Sequence, residues 1–284
     1  MKVTVLESKQ EEDYEPNLKK LAKDSDLTFA IGFLMKDSLT KISKDMGEKN
    51  FAIIDAVVDS SNVKSIVFKE DEGSFLMGII AGKMTKTNKV GFIGGVDGST
   101  VQKFESGYNA GVKAVNPAAA EGLISRKTVK YVGSFSDPKK GYELAKVLYN
   151  DGCDVIYHAS GSSGLGLLKA AKESKKWAIG VDQDQAVTAP DYKEAILSSM
   201  VKKVDAAAYE ASKEVIEGKF RGGKANILVI GLKGDGVGMA PTTKNNTPQD
   251  VIDLADKYKN AIVDGKFKVP SKLEEVREFT VPAM

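Results

Sequence analysis

Short runs rich in Val, Ile and Phe alternate with amphipathic stretches along most of this chain, and that alternation leaves few architectures open. "KVTVLES" precedes "YEPNLKKLAKDS", "LTFAIGF" precedes "KDSLTKISKDMG", and "FAIIDAVV" is followed by "VKSIVFKE" and "GSFLMGIIAGKMTKT". The pattern predicts βα units around mostly parallel sheets, an α/β protein. A second series runs "KVGFIGG", "VQKFESGYNAGVKAV", "VKYVGSF", "PKKGYELAKVLYNDG", "CDVIYHA", "GLGLLKAAKES", "WAIGVD" and "AILSSMV". Each series can cover its own sheet, and 284 residues exceed what one core usually holds, so two doubly wound lobes with a cleft between them are expected. Lobe 1 is placed over residues 1–67 with about 200–224, and lobe 2 over 68–199 with about 225–284. The stretch "NPAAAEGLISRKT" reads as a surface loop opened by Pro117. "KKVDAAAYEASKEVIEGK" and "TPQDVIDLADKYKNAIVDGK" read as helices that the pattern assigns to neither lobe.

Charge and composition remove several functions. The 41 basic and 39 acidic side chains are spread evenly, leaving a formal charge of +2 and no field that would gather a nucleic acid or an anionic membrane. Cys153 is the only cysteine, so an internal disulfide and a thiolate metal cluster are both excluded. No cluster has metal-ligand spacing, and no cofactor is expected. No apolar run approaches the roughly 20 residues that span a bilayer, and the opening "MKVTVLESKQEEDY" turns acidic before any export signal could form. His158, the single histidine, sits in "VIYHAS" and reads as a hydrogen-bonded core residue; no nucleophile lies in an elbow or triad context, so catalysis is not expected.

In open α/β sheets ligands meet the carboxyl ends of strands, which directs attention to the residues just after each apolar run. These include Asp97, then Phe135, Ser136 and Asp137, then Gly161 and Gly164, then Asp182 and Asp184, and Lys202 with Lys203. "SFSDPKKG" has the form of a helix entrance, with Ser136 or Asp137 as cap and Pro138 in the first turn. Phe135 either packs beneath that helix or offers a platform for a planar ligand. The glycines of "ASGSSGLG" bring backbone N–H groups toward a ligand or simply allow a tight turn; the P-loop lysine is lacking. In "IGVDQDQ" the paired aspartates suit a ligand that offers hydroxyls, such as a sugar, because an ionised carboxylate only accepts; equally, one caps a turn and the other is solvated. Lys202 either balances that charge or is solvated.

"VGFIGG", "FESGYNAGVKAVNP", "VKYVGSFSDPKKG", "GCDVIYHASGSSGLG", "AIGVDQDQ", "LSSMVKKVDAAAYEA" and "GLKGDGVGMAPT", in this order, resemble the basic membrane protein family of substrate-binding lipoproteins, the PnrA-like purine nucleoside receptors of ABC importers. The resemblance implies a type I periplasmic-binding fold whose two lobes close on a nucleoside, a transporter permease as partner, a lipid-anchored place at the cell surface or in the periplasm, and no chemistry. Carried onto this chain, it implies that Phe135 stacks on the base, Gly161 gives a backbone contact, and Asp182 with Lys202 holds the ribose. Phe33, Asp55 and Asp97 lie at further strand mouths. The family's opening strand, acidic loop and helix do not precede "KVTVLES" here, so lobe 1 is expected to lack its first strand, with weakened nucleoside affinity. "KVTVLES" is then expected to pair with "LTFAIGF" or to remain an exposed edge strand. Two other readings stay open: a cytoplasmic ligand sensor of the same fold, and a nucleoside- or sugar-phosphate-processing enzyme using "SGSSGLG".

Overall fold

The computed structural model describes residues 2–282. Its strands are β1 (Leu27–Ile31), β2 (Asn50–Ile54), β3 (Val63–Phe68), β4 (Val90–Gly94), β5 (Val129–Tyr131), β6 (Val155–Ala159), β7 (Trp177–Asp182), β8 (Ile196–Lys202), β9 (Leu228–Ile230) and β10 (Val237–Met239). Its helices are α1 (Tyr14–Asp24), α2 (Lys36–Asp45), α3 (Glu70–Met84), α4 (Ser99–Val115), α5 (Pro117–Ile124), α6 (Pro138–Asn150), α7 (Gly164–Ser174), α8 (Gln185–Thr188), α9 (Val204–Ile216), α10 (Gln249–Val263) and α11 (Leu273–Val276). The chain divides into two compact units. Unit 1 holds the described residues up to Phe68 with Lys203–Ile230, and unit 2 holds Lys69–Lys202 with the described residues from Gly231.

Unit 1 is built on a parallel sheet in the order β1-β2-β3-β9. Four of the five β2 residues are buried, as expected of a parallel strand covered on both faces. On one face α1 and α2 bring Leu18, Ala22, Leu39 and Ile42 against Phe51 and Ile53. The Asn62 side-chain amide donates to the carbonyls of Ser43, Met46 and Lys49, tying the last turn of α2 and the turn after it to the start of β3.

The expected strand "KVTVLES" does not form. Residues 2–8 belong to neither sheet, Val3 and Val5 are 71% and 76% exposed, and β1 pairs with β2 alone among the described residues. The physical reason is that alternation specifies a strand only where one face finds a core and the backbone finds a ladder; here the valines reach no core.

Unit 2 carries a sheet in the order β10-β8-β7-β6-β4-β5, parallel except for β10, which runs antiparallel along β8. Successive residues of each strand face opposite layers. Phe92 and Tyr157 meet Tyr108 of α4, and the Tyr157 hydroxyl lies 3.0 Å from Ser74 Oγ of α3. Ile93 and Ile156 meet Leu148 of α6 with Leu167 and Leu168 of α7. Helix α3 is buried on nearly every side, so its apolar residues follow no single stripe. It meets α4 backbone to backbone: a Cβ at Gly107 would stand 2.1 Å from the Asp71 carbonyl oxygen, and one at Gly111 2.1 Å from that of Phe75. On another side the Phe75 ring packs among Tyr258, Phe267 and Phe279 from the end of the chain.

Residues 117–124, expected as loop, form helix α5. The Asn116 carboxamide oxygen accepts from the Ala119 N–H at 3.1 Å, Pro117 occupies the first turn, and three alanines follow. Proline at a helix start and a proline in a loop look alike in sequence, and the cap decides between them.

Candidate functional site

Because β8, β7, β6, β4 and β5 are parallel neighbours, their carboxyl ends emerge along one edge of unit 2. Asp182 closes β7 and Lys202 closes β8. The Lys202 ammonium stands 3.7 Å from Asp182 Oδ1, with the lysine side chain 6% exposed and the aspartate side chain 48% exposed. The choice for Lys202 between a solvated lysine and a counter-charge thus resolves to a buried ion-paired one. Its ammonium also lies 5.7 Å from the centre of the Phe104 ring, which packs on it through the attraction of a cation to an aromatic face. Asp182 has φ +65°, and the Gln183 N–H turns back to the Val181 carbonyl at 2.7 Å around it. Such a tight three-residue turn is strained for a residue with a side chain and persists only where its surroundings hold it. Asp184 is occupied elsewhere: its carboxylate accepts from the hydroxyl and N–H of Thr242 at 2.6 and 3.2 Å. Of the two acids in "DQDQ", the first stands at the strand mouth beside a cation and the second ties a turn to its neighbour.

Phe135 reaches the same edge from β5. The chain stays alongside β4 through Val132 and Gly133 N–H bonds to the Gly94 and Gly95 carbonyls. The Phe135 carbonyl then accepts from the Ser163 N–H at 3.1 Å and the Ser162 hydroxyl at 3.0 Å. Its ring covers Gly95, where a Cβ would stand 2.3 Å from Cε1, and its Cβ flanks Gly161, which has φ +56°. The ring therefore lies over the ends of β4 and β6, while Asp182 ends β7, the next strand. Two strand spacings, about 10 Å in all, separate β4 from β7, a span that one two-ring molecule covers.

The Asp137 carboxylate caps α6 by accepting from the Lys140 N–H at 2.9 Å, with Pro138 in the first turn. The "SGSSGLG" glycines have packing reasons: a Cβ at Gly164 would stand 1.9 Å from the His158 ring, and one at Gly166 2.0 Å from the Pro138 carbonyl oxygen. His158 is fully buried. Its Nε2 lies 2.8 Å from Gln185 Oε1 and its Nδ1 3.2 Å from Ser160 Oγ. Burial pushes its pKa down to about 4, against the opposing pull of the Gln185 oxygen, so the ring is neutral near neutral pH.

The remaining candidates are more scattered. Asp97 is exposed after β4 and accepts from the Gln102 amide at 2.8 Å. Phe33 and Asp55 belong to unit 1. Phe33 opens a short 3-10 turn after β1 and packs on that unit's core, and Asp55 follows β2 with φ +70°. Phe104 and Gln185 were not legible as site residues. Phe104 reads as one more apolar position of α4, and only the repeated amide of "DQDQ" marked Gln185. Among the described residues no group of three or more His, Cys, Asp or Glu could hold a metal ion, and no helix is long and apolar enough to cross a membrane.

A sequence profile described as "Bmp: ABC transporter substrate-binding protein PnrA-like" matches residues 1–272. A Listeria monocytogenes relative named "CD4+ T-cell-stimulating antigen" is 42% identical over 94% of this chain and 76% of its own length. The "ABC transporter nucleoside-binding protein BmpA" of Lactococcus lactis is 35% identical over 95% of this chain and 78% of its own. Among solved structures, a solute-binding protein of an ABC transporter system from Aeropyrum pernix K1 superimposes with a TM-score of 0.76 at 27% identity, covering 95% of this chain and 85% of that one.

Proposed function

Because this chain belongs to the Bmp family of PnrA-like ABC transporter substrate-binding proteins, whose members serve a transporter by carrying a small molecule, we propose that its cargo is a purine nucleoside, captured outside the cytoplasm without turnover. The observation that carries this reading is Asp182, held in left-handed backbone with a half-exposed carboxylate beside a buried ammonium. Vicinal ribose hydroxyls would donate to that carboxylate, and Lys202 would donate to a sugar oxygen. The base would lie on Phe135, with Gly161 supplying backbone polar groups at its edge. Asp97, Phe33 and Asp55 are further candidates for contact. The name of the Lactococcus relative points the same way. The one imidazole is buried and neutral, so it offers this edge no proton-transfer group.

Calorimetry with guanosine, inosine and free ribose tests the proposal. Guanosine and inosine are expected to bind far more tightly than ribose. Asp182→Ala should weaken guanosine about 100-fold, since bonds to a charged acceptor contribute roughly 1.5–3 kcal/mol each. Phe135→Ala should weaken it about 10-fold. Ribose binding as tightly as guanosine, or an Asp182→Ala variant with unchanged affinity, would overturn the reading.

A further inference from the structure

The ladder between β6 and β7 ends at the pair Tyr157–Ile179, although β6 continues to Ala159 and β7 to Asp182. Beyond that point the side chain of Gln185 takes part of the ladder's place. Its Oε1 accepts from the Val181 N–H at 3.2 Å and faces His158 Nε2 at 2.8 Å, while the backbone N–H of Gln185 donates to Ser199 Oγ of β8 at 3.1 Å. With Oε1 engaged by a backbone donor, the remaining His158 contact requires a proton on Nε2. Nδ1 is then the acceptor for the Ser160 hydroxyl. The glutamine has room only because position 180 is glycine, where a Cβ would stand 2.4 Å from Oε1. His158, Ser160, Gln185 and Ser199 are all buried, so each bond in this chain is shielded from water.

We infer that Gln185, oriented by His158, is a positioning residue for ligand capture: by holding the Val181 N–H it keeps Asp182 in its strained turn and its carboxylate at the mouth of β7. On its β8 side this segment stays in the ladder, Val181 beside Met200 and Asp182 beside Val201; on the β6 side Val181 is held by this clamp, and Gln183 by its bond back to the Val181 carbonyl. Released from the clamp, Asp182 can relax from φ +65° into the ordinary extended backbone of its strand, which swings the carboxylate away from Lys202. Neither Gln185 nor His158 needs to touch the ligand, and the effect on binding passes through Asp182.

This inference rests on the nucleoside reading for its binding arm, so the experiment carries a second arm that needs no ligand. In the binding arm, guanosine affinity is measured for Gln185→Leu, Asp182→Ala and the double variant. Gln185→Leu is expected to weaken guanosine about tenfold, the effect of orphaning one buried donor. In the Asp182→Ala background the same change should have no further effect. An equal loss in both backgrounds, or no loss in either, overturns the proposal. Gln185→Glu keeps an acceptor at the same place and should retain most of the affinity; a loss as large as that of Gln185→Leu counts against the proposal.

In the ligand-free arm, hydrogen exchange at the Val181 and Gln183 amides should quicken at least tenfold in Gln185→Leu while the amides of β4 stay protected. Nitrogen NMR of the lone imidazole should also show the Nε2–H tautomer in the parent chain and its loss in the variant. Unchanged exchange at Val181 overturns the proposal even if guanosine binds. Failure of guanosine to bind the parent chain removes the nucleoside reading and leaves the clamp to be decided by exchange and tautomer.

Discussion

Gly164→Ala is expected to lower the stability of unit 2 by about 3 kcal/mol, a fall in melting temperature of roughly 6–12 °C for a domain of this size. The added methyl would stand 1.9 Å from His158 Cε1, 2.2 Å from Nδ1 and 2.5 Å from Nε2, so a whole edge of the ring blocks it. In an ordinary core an overpacked side chain turns to another rotamer. This ring is pinned at Nε2 by Gln185 and at Nδ1 by Ser160, and turning it would leave buried polar atoms without partners. Either the first turn of α7 moves off the sheet or the two bonds break. Urea denaturation checks the magnitude. Combining Gly164→Ala with His158→Ala should cost less than the sum of the single changes, because truncating the ring opens the space that the new methyl needs.

Asp71→Asn should raise stability at pH 7.5 by about 2–3 kcal/mol. Asp71 lies in the first turn of α3 with 8% of its surface exposed, and burial pushes its pKa up to about 6 against the lowering effects of its own backbone N–H, Lys103 and Lys69. In the unfolded chain the group titrates near 3.8, so between that pH and about 6 the native state binds more protons than the unfolded one. Stability therefore falls as pH rises through this window, and above it the full cost of a buried carboxylate is present. An amide avoids that cost. The gain from Asp71→Asn should shrink as pH drops below 6 and vanish near 4.

His158 acts in the opposite sense. Its folded pKa near 4 against an unfolded value near 6.5 removes stability as pH falls from 6.5 toward 4. In the parent chain the two slopes partly cancel, so the Asp71→Asn variant should lose stability on acidification more steeply than the parent. Melting temperatures of both proteins between pH 4 and 8 check this directly, and parallel curves would contradict it.

The parallel strands and most of their helices were legible because hydrophobic periodicity is a local signal: "VGFIGG", "VIYHA" and "WAIGVD" are all largely buried strands, the first two followed by the helices α4 and α7. Two segments misled the same rules. "KVTVLES" has a strand's alternation, but a ladder is a property of the partner strand, which no local pattern contains. "NPAAAEG" has loop punctuation, but its asparagine and proline start a helix. At the candidate site, the strand-end rule picks out Asp182 and Lys202, and the acceptor-only chemistry of paired carboxylates suggests a ligand that offers hydroxyls. What the sequence could not carry was the side-chain pairing across strands. That Lys202 is buried against Phe104, or that Gln185 returns to β7, depends on contacts between residues distant along the chain or on the path of a turn. The apolar residues that flank His158 mark it as a core residue and carry no sign of its link to the aspartate turn.

The return of the chain to unit 2 at Gly231 bears on how the molecule is made. When a ribosome has delivered β8, the outer edge of that strand must wait for β10, and Phe75 must wait longer for Tyr258, Phe267 and Phe279. Throughout that interval the nascent chain presents an unpaired strand edge and an uncovered aromatic surface. A fragment that stops anywhere before α10 leaves the Phe75 ring without those partners and is expected to aggregate more readily than the full chain.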